Sequence, residues 1–207
     1  MNGKLYTLFV LAFLSAFSLT AQITVTDADL QDGTYNWTND NIYLLDGPVF
    51  LEAGGTLNIE AGTVIKGTPN PGDVASALII ARGAQIFAEG TAAQPIIFTA
   101  EDDDLSDSGD FTSEDRGEWG GLLILGRATV ARPGGTDNIE GLTVEERTAF
   151  GGGDTPINDD NSGVLRYVSI RHGGAALAPG DEINGLTLGG VGSGTTIEFV
   201  EVFANLD

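Results

Sequence analysis

The sequence contains no cysteine. Disulfides, thiolate metal sites, thiol nucleophiles and a lipid-anchored N-terminal cysteine are therefore excluded, and packing alone must hold the fold. A single histidine, His172, excludes a His-rich metal centre. Positive charge is scarce, with 9 Lys+Arg against 30 Asp+Glu and a formal net charge of −21. Long-range repulsion on that scale argues against nucleic acid and anionic membrane surfaces as partners. It equally opposes polyuronates and sulfated glycans unless divalent cations bridge the two. Helical periodicity is lacking outside the N-terminal stretch, and so are long apolar runs. The one exception is Leu5–Leu19, which follows the short, lysine-bearing Met1–Lys4 and precedes "LTAQ". That layout is a secretory signal peptide, 1–21, with a cut after Ala21. The run is short of the roughly 20 residues that a membrane-spanning helix needs. The expected mature chain is exported, extracellular or on the outer cell surface, and loses only Lys4 from its charged residues.

Glycine, by contrast, is abundant at 30 residues. Apolar residues come in short alternating bursts bounded by Gly, Asp, Asn and Pro, the signature of strands and turns. The chain reads as all-β.

The bursts repeat. "GTLNIEAGTVIKG" (55–67) laid over "ALIIARGAQIFAEG" (77–90) puts Leu57 on Leu78 and Ile59 on Ile80. Leu123/Leu125 and Leu186/Leu188 continue the series. A second series runs through Ile96-Ile97-Phe98, Leu165-Arg166-Tyr167 and Ile197-Glu198-Phe199. Its last two members also align Val168 with Val200, Ser169 with Glu201 and Ile170 with Val202. Between Tyr167 and Val168, and again between Phe199 and Val200, two alternating runs abut with a slip of parity, as a bulge or corner produces. Strands this short bury little alone, but like strands stacked about 4.8 Å apart form interior ladders. The expected ladders are Leu57, Leu78, Leu123 and Leu186 in one wall and Phe98, Tyr167 and Phe199 in another. The expected fold is a right-handed parallel β-helix, a solenoid of about four coils. An antiparallel sandwich would show two-residue Asn-Gly or Asp-Gly hairpin turns instead.

Two stretches leave the coil: Glu101–Gly120, and the longer one between Val130 and Val164. Excursions of that length are usually functional or disordered. Residues 22–48 match no coil well and are expected to form an N-terminal cap using Trp37, Ile42, Tyr43 and Leu45. The β-helix is expected over 49–207. Ile197–Phe203 reads as a full coil strand with no cap after it, so truncation, or end-to-end self-association through this strand, is expected.

"TLNIEAGTVIKG", "GTAAQPIIFTA", "RGEWGGLLILGRA" and "NSGVLRYVSIRHGG" resemble the secreted right-handed β-helix repeat proteins of Gram-negative bacteria, surface proteins associated with type IX secretion. Many of these carry a C-terminal sorting domain, which is missing from this sequence. The resemblance spans roughly Thr34 to Asp207 and implies fold and location more than activity.

Candidate chemistry is sparse. His172, in "SIRHGG", sits where a strand enters a turn, as a turn residue or a catalytic base. Arg166, Ser169 and Arg171 should face outward beside Glu198 and Glu201 of the next coil. They form either an acid and base over a sugar groove or an inter-coil ion-pair ladder. "DLSDSGDFTSED" (104–115) has the spacing of a calcium loop, with Asp104, Ser106, Ser108 and Asp115 as candidate ligands. The competing reading is a solvated acidic loop. Trp119 either stacks on a sugar or pins this excursion to the coil wall. "GGVGSG" (189–194) lacks the strand–helix context of a phosphate loop and reads as a tight turn. Two function classes remain: a structural or adhesive surface module that presents loops to a glycan or protein ligand, and a carbohydrate-active enzyme or polysaccharide binder on the same fold. With no catalytic constellation legible, the first is the expectation.

Overall fold

A computed structural model of the chain describes residues 21–69, 75–178 and 181–206. The expected signal peptide, apart from Ala21, lies outside the described residues. In chain order the strands are β1 (Ala21–Val25), β2 (Thr34–Trp37), β3 (Asn41–Leu45), β4 (Pro48–Leu51), β5 (Thr56–Ile59), β6 (Val64–Gly67), β7 (Ala77–Ile80), β8 (Gln85–Glu89), β9 (Ile96–Ala100) and β10 (Gly121–Leu125). They continue with β11 (Asp137–Asn138), β12 (Ala149–Phe150), β13 (Gly163–Arg171), β14 (Ala176–Ala178), β15 (Asp181–Glu182), β16 (Leu186–Gly189) and β17 (Thr196–Phe203).

The coil strands pair in parallel and form three walls of a right-handed β-helix. The first wall stacks β2, β5, β8 and the front half of β13, and the second stacks β1, β3, β6, β9 and the back half of β13. The third stacks β4, β7, β10 and β16. β17 lies along the whole of β13, Val164 to Arg171 against Thr196 to Phe203. Four coils follow one another, and β17 opens a fifth. Segment 22–48 enters this stack in register, Thr34 on Thr56 and Ile42 on Val64. Ahead of it β1 pairs with β3, and Val25 and Leu30 are buried in the main core.

The register corrects the expected ladders. The 21-residue overlay of 55–67 on 77–90 spans only part of a turn. Leu57 belongs to the first wall, between Tyr35 and Ile86, and Leu78 to the third. The coil at Thr56 recurs at Gln85, 29 residues on. The interior ladder of the third wall is Val49, Leu78, Leu122 and Leu186. Leu123 alternates to the outer face. In the second wall Phe98 stacks on Ile65 and Ile170, and not on Tyr167. Both overlays matched apolar letters without knowing which wall each burst occupied. Leu57, Leu78, Leu122, Ile86, Phe98 and Leu165 are fully buried, and each such side chain contributes about 1.5–3 kcal/mol.

The expected parity slip is present. Tyr167 and Phe199 have left-handed φ values of 49° and 54° and turn β13 and β17 from the first wall into the second. That conformation throws both rings outward, where they stack at 4.6 Å, with Phe199 66% exposed. On the third wall β7 and β10 are buried on both faces, as "ALII" and "GLLIL", without alternation, require. Their outer side chains Ile79, Leu123 and Leu125 join Phe50 in a second core, closed by Ile139, Leu142 and Phe150 of the second excursion.

The corrected register separates two substitutions. Phe98→Asp buries an unpaired carboxylate and is expected to unfold the domain. Tyr167→Asp, at an outer corner, is expected to stay folded with a modest fall in Tm. Circular dichroism melts of the two variants decide, and an unfolded Tyr167→Asp would restore the interior aromatic ladder.

Candidate functional site

The outer face of the second wall carries the richest chemistry. Register places Lys66, Thr99, Arg171 and Phe203 in one outward row and Ile97, Ser169 and Glu201 in the next. The first excursion folds over this face. Lys66 Nζ donates to the carbonyls of Glu101 and Asp103, both at 2.8 Å, and Thr99 donates to the buried Asp103 carboxylate. At its far end the excursion is anchored by Trp119. This ring is fully buried above Gly67, 6.4 Å from the Phe98 ring, and its Nε1–H donates to the Arg171 carbonyl at 2.7 Å. A Cβ on Gly67 would sit 2.7 Å from the Trp119 ring, so glycine is what admits the indole. Trp119 is thus an anchor and presents no face to a sugar.

Between the excursion and the wall lies an open cleft of about 340 Å³. Phe203, Arg171 and Glu201 line it on the wall side, and Asp103, Asp107 and Asp110 on the loop side. His172 is 3% exposed and also lines the cleft. It is a turn residue, with φ 59°, set between the rings of Phe111 (5.0 Å) and Phe203 (5.8 Å). Its Nδ1 lies 2.7 Å from the Asp115 carbonyl. A carbonyl only accepts, so Nδ1 carries a proton in this bond.

The calcium-loop spacing is only partly gathered. Ser106 donates its N–H and hydroxyl to Asp104 Oδ1, at 3.0 and 2.7 Å. The Asp115 carboxylate turns to the N–H and hydroxyl of Thr112, at 2.7 and 2.8 Å. Ser108 lies at the cleft margin. No group of three or more His, Asp or Glu placed to hold a metal occurs among the described residues. The Ser106 hydroxyl and N–H hold the Asp104 carboxyl below its usual range, and the Thr112 N–H and hydroxyl do the same for Asp115.

Arg166, at the corner, donates from Nη1 to Glu89 and from Nε to Glu198, both at 3.1 Å. The three residues lie on consecutive coils. Arg171 Nε donates to Ser169 Oγ at 2.8 Å, and Ser169 donates in turn to Glu201. Earlier coils carry an amide rung, Asn58 to Asn36 at 3.0 Å. These half-exposed pairs are worth about 0.2–1 kcal/mol each.

A second charged focus, which no sequence pattern marks, is Arg147 in the second excursion. It donates to Asp27 (2.7 Å), Glu52 (3.2 Å) and Glu145 (2.9 Å) and lies 4.0 Å over the Phe50 ring. Burial opposes its charge, but the bonds to Glu145, Asp27 and Glu52 outweigh it and raise its pKa above the ordinary value. Arg82 adds a bond to the Gly151 carbonyl at 2.8 Å and an ion pair with Glu146. These two arginines strap the second excursion over the third wall. The "GGVGSG" turn serves the same closure, because Gly189 leaves room for the Phe150 ring.

Stacked coils, three parallel walls and two folded-back excursions define a right-handed parallel β-helix. Residues 29–207 match the family model described as a pectate-lyase-like β-helix domain, and the chain belongs to that family. No curated protein and no solved structure matches the chain.

The loop's bonds set a pH dependence. Carboxyls with depressed folded pKa values stabilise above their unfolded values, and that contribution is lost as pH falls through the folded ones. The Asp104 and Asp115 turns are therefore expected to persist at neutral pH and open only below the ordinary carboxylate range of about 4. Amide exchange at Ser106 and Thr112 reads this directly. Protection lost well above that range would show that these turns do not order the loop.

Proposed function

We propose that the chain is an exported surface or extracellular β-helix module that presents the first excursion and its cleft to a glycan or protein ligand, without catalysing a reaction. The observation that supports this most directly is the self-pairing of the outer wall. Glu89, Arg166 and Glu198 engage one another, as do Arg171, Ser169 and Glu201. A glycosidase needs two carboxyls facing one bond, and a lyase needs a base free to take a proton. Here the charged rungs are committed to their neighbours. Export is inferred from the layout of residues 1–21, and the type IX route from the motif resemblance. No helix among the described residues is long and apolar enough to cross a membrane.

A second reading, a polysaccharide-binding or carbohydrate-active β-helix, is supported by the family description. The two readings part in one experiment. Residues 22–207 are incubated with polygalacturonate and with neutral glycans, with and without calcium, while unsaturated uronide and reducing ends are followed. No release is expected. Sustained turnover abolished by Arg166→Ala would replace the first reading with the second. For export, N-terminal sequencing of the culture fraction is expected to begin at Gln22, and a cytoplasmic chain retaining Met1 would refute it.

End-to-end association is proposed for the same 22–207 chain. Among the described residues β17 pairs only with β13, and along it Ile197, Phe199, Val202 and Phe203 are 36–66% exposed. An unpaired, apolar edge is a template for another strand. Light scattering is expected to show mass rising with concentration, and Val202→Lys to suppress it. A concentration-independent monomer would overturn the proposal.

A further inference from the structure

The two ends of the stack differ. Before the first full coil the core is closed, because Val25 and Leu30 are buried in it and Asp27 Oδ1 accepts the Phe50 N–H at 3.1 Å. At β16 and β17 the core lies open in section. Ile124, Leu165 and Ile170 are fully buried, yet the residues stacked on them, Leu188, Ile197 and Val202, are 45%, 36% and 50% exposed. Among the described residues, six of the ten large apolar side chains left exposed gather here: those three with Phe199, Phe203 and Leu206. Within the same residues β16 pairs only with β10 and β17 only with β13, so each leaves a free edge. A concentrated apolar patch bordered by unpaired strand edges marks a surface that another polypeptide covers.

Charge and shape select the polypeptide. The acids of β17 are locally balanced, since Arg166 engages Glu198 and Arg171 lies 4.0 Å from Glu201. The opposite end is acidic. Asp29 and Asp32 stand exposed between β1 and β2, and no lysine or arginine occurs from Ala21 to Ile65. A head-to-tail contact would set the apolar section on that closed, acidic end. A contact between two identical ends covers apolar columns with apolar columns and keeps the unbalanced acids of a chain of net charge −21 apart. Phe199 locates the symmetry axis. One face of its ring stacks on Tyr167, and the side chain is still 66% exposed. A two-fold axis beside this corner extends the stack with the same ring of the second copy.

We propose that β16 and β17 form an isologous interface, through which two copies of the chain meet tail to tail about a two-fold axis beside Phe199. The inference rests on the end-to-end association proposed above and fixes its geometry as a closed pair. An isologous contact uses up the patch on both copies, whereas a head-to-tail contact leaves one free and keeps growing.

Sedimentation equilibrium of the 22–207 chain is expected to show the mass rising with concentration to a plateau at about twice the monomer. Growth past two copies would overturn the two-fold geometry alone. A monomer at every concentration would overturn the association itself and leave the open section to a different polypeptide. Because the chain has no cysteine, single introduced thiols report the orientation. Phe199→Cys and Asp32→Cys chains are mixed in equal amounts, oxidised mildly, and the crosslinked pairs weighed by mass spectrometry. Residues beside a two-fold axis reach the Cα separation of roughly 4.4–6.8 Å that a disulfide needs. The Phe199→Cys homodimer is therefore expected severalfold above the mixed pair. Val200→Cys, which keeps the Phe199 ring, is expected to behave in the same way. A mixed pair equal to or above the homodimers for both variants would mean head-to-tail contact and overturn the proposal.

Discussion

The fold depends on one constraint: each coil strand satisfies its backbone by pairing in parallel with the same wall of the next coil. Parallel pairing without offset lays each side chain on its counterpart, so a residue's neighbours are set by the coil above and below it. Val49, Leu78, Leu122 and Leu186 form one interior column for that reason, and Tyr43, Ile65, Phe98 and Ile170 another. The same rule places Glu89, Arg166 and Glu198 in line on the outside. Interior rungs supply the stability. Outer rungs are cheap to change, because half-exposed charges in high dielectric gain little from pairing.

The excursions are consequences of that regularity. A coil wall with a fully apolar outer face must be covered, and β7 and β10 are covered by the second excursion, held by Arg147 and Arg82. The first excursion meets a more polar face and is fixed at two points, the Lys66 bridge to its carbonyls and the Trp119 anchor. Between those fixed points the chain is free to project acidic side chains. A cleft with a firm floor and an exposed rim results. The rigid part is contributed by the coil, and the variable chemistry by the loop.

The left-handed residues show how locally strained conformations follow from the stack. Tyr167 and Phe199 recur one coil apart, as do His172 and Ala204, all with φ between 49° and 59°. A non-glycine residue adopts that region at a cost. Repetition at equivalent places means the corner itself requires it. At the second corner this geometry buries His172 against Phe203 and offers its ring to the Asp115 carbonyl. The proton on Nδ1 of His172 is therefore held by a backbone bend and a loop 57 residues away in sequence.

Composition and short-range pattern were sufficient for the class of fold. Alternating bursts, glycine turns and the match of 164–171 to 196–203 depend on backbone geometry within single strands, so the parallel solenoid, the two excursions and the corners at Tyr167 and Phe199 were legible. The Arg166–Glu198 rung was legible for the same reason, because 164–171 and 196–203 match in register along the strand. Which wall each burst joins was not legible. Coil lengths vary with the excursions, so Leu57 and Leu78 align as letters while lying in different walls, and Leu123 faces out where Leu122 faces in. The covered outer face of the third wall, the Arg147 clamp and the Trp119 anchor depend on residues tens of positions apart meeting in space. Sequence decided what kind of surface each strand must bury. Only the tertiary structure decided what buries it, because that choice is made by loop closure between coils and not by local preference.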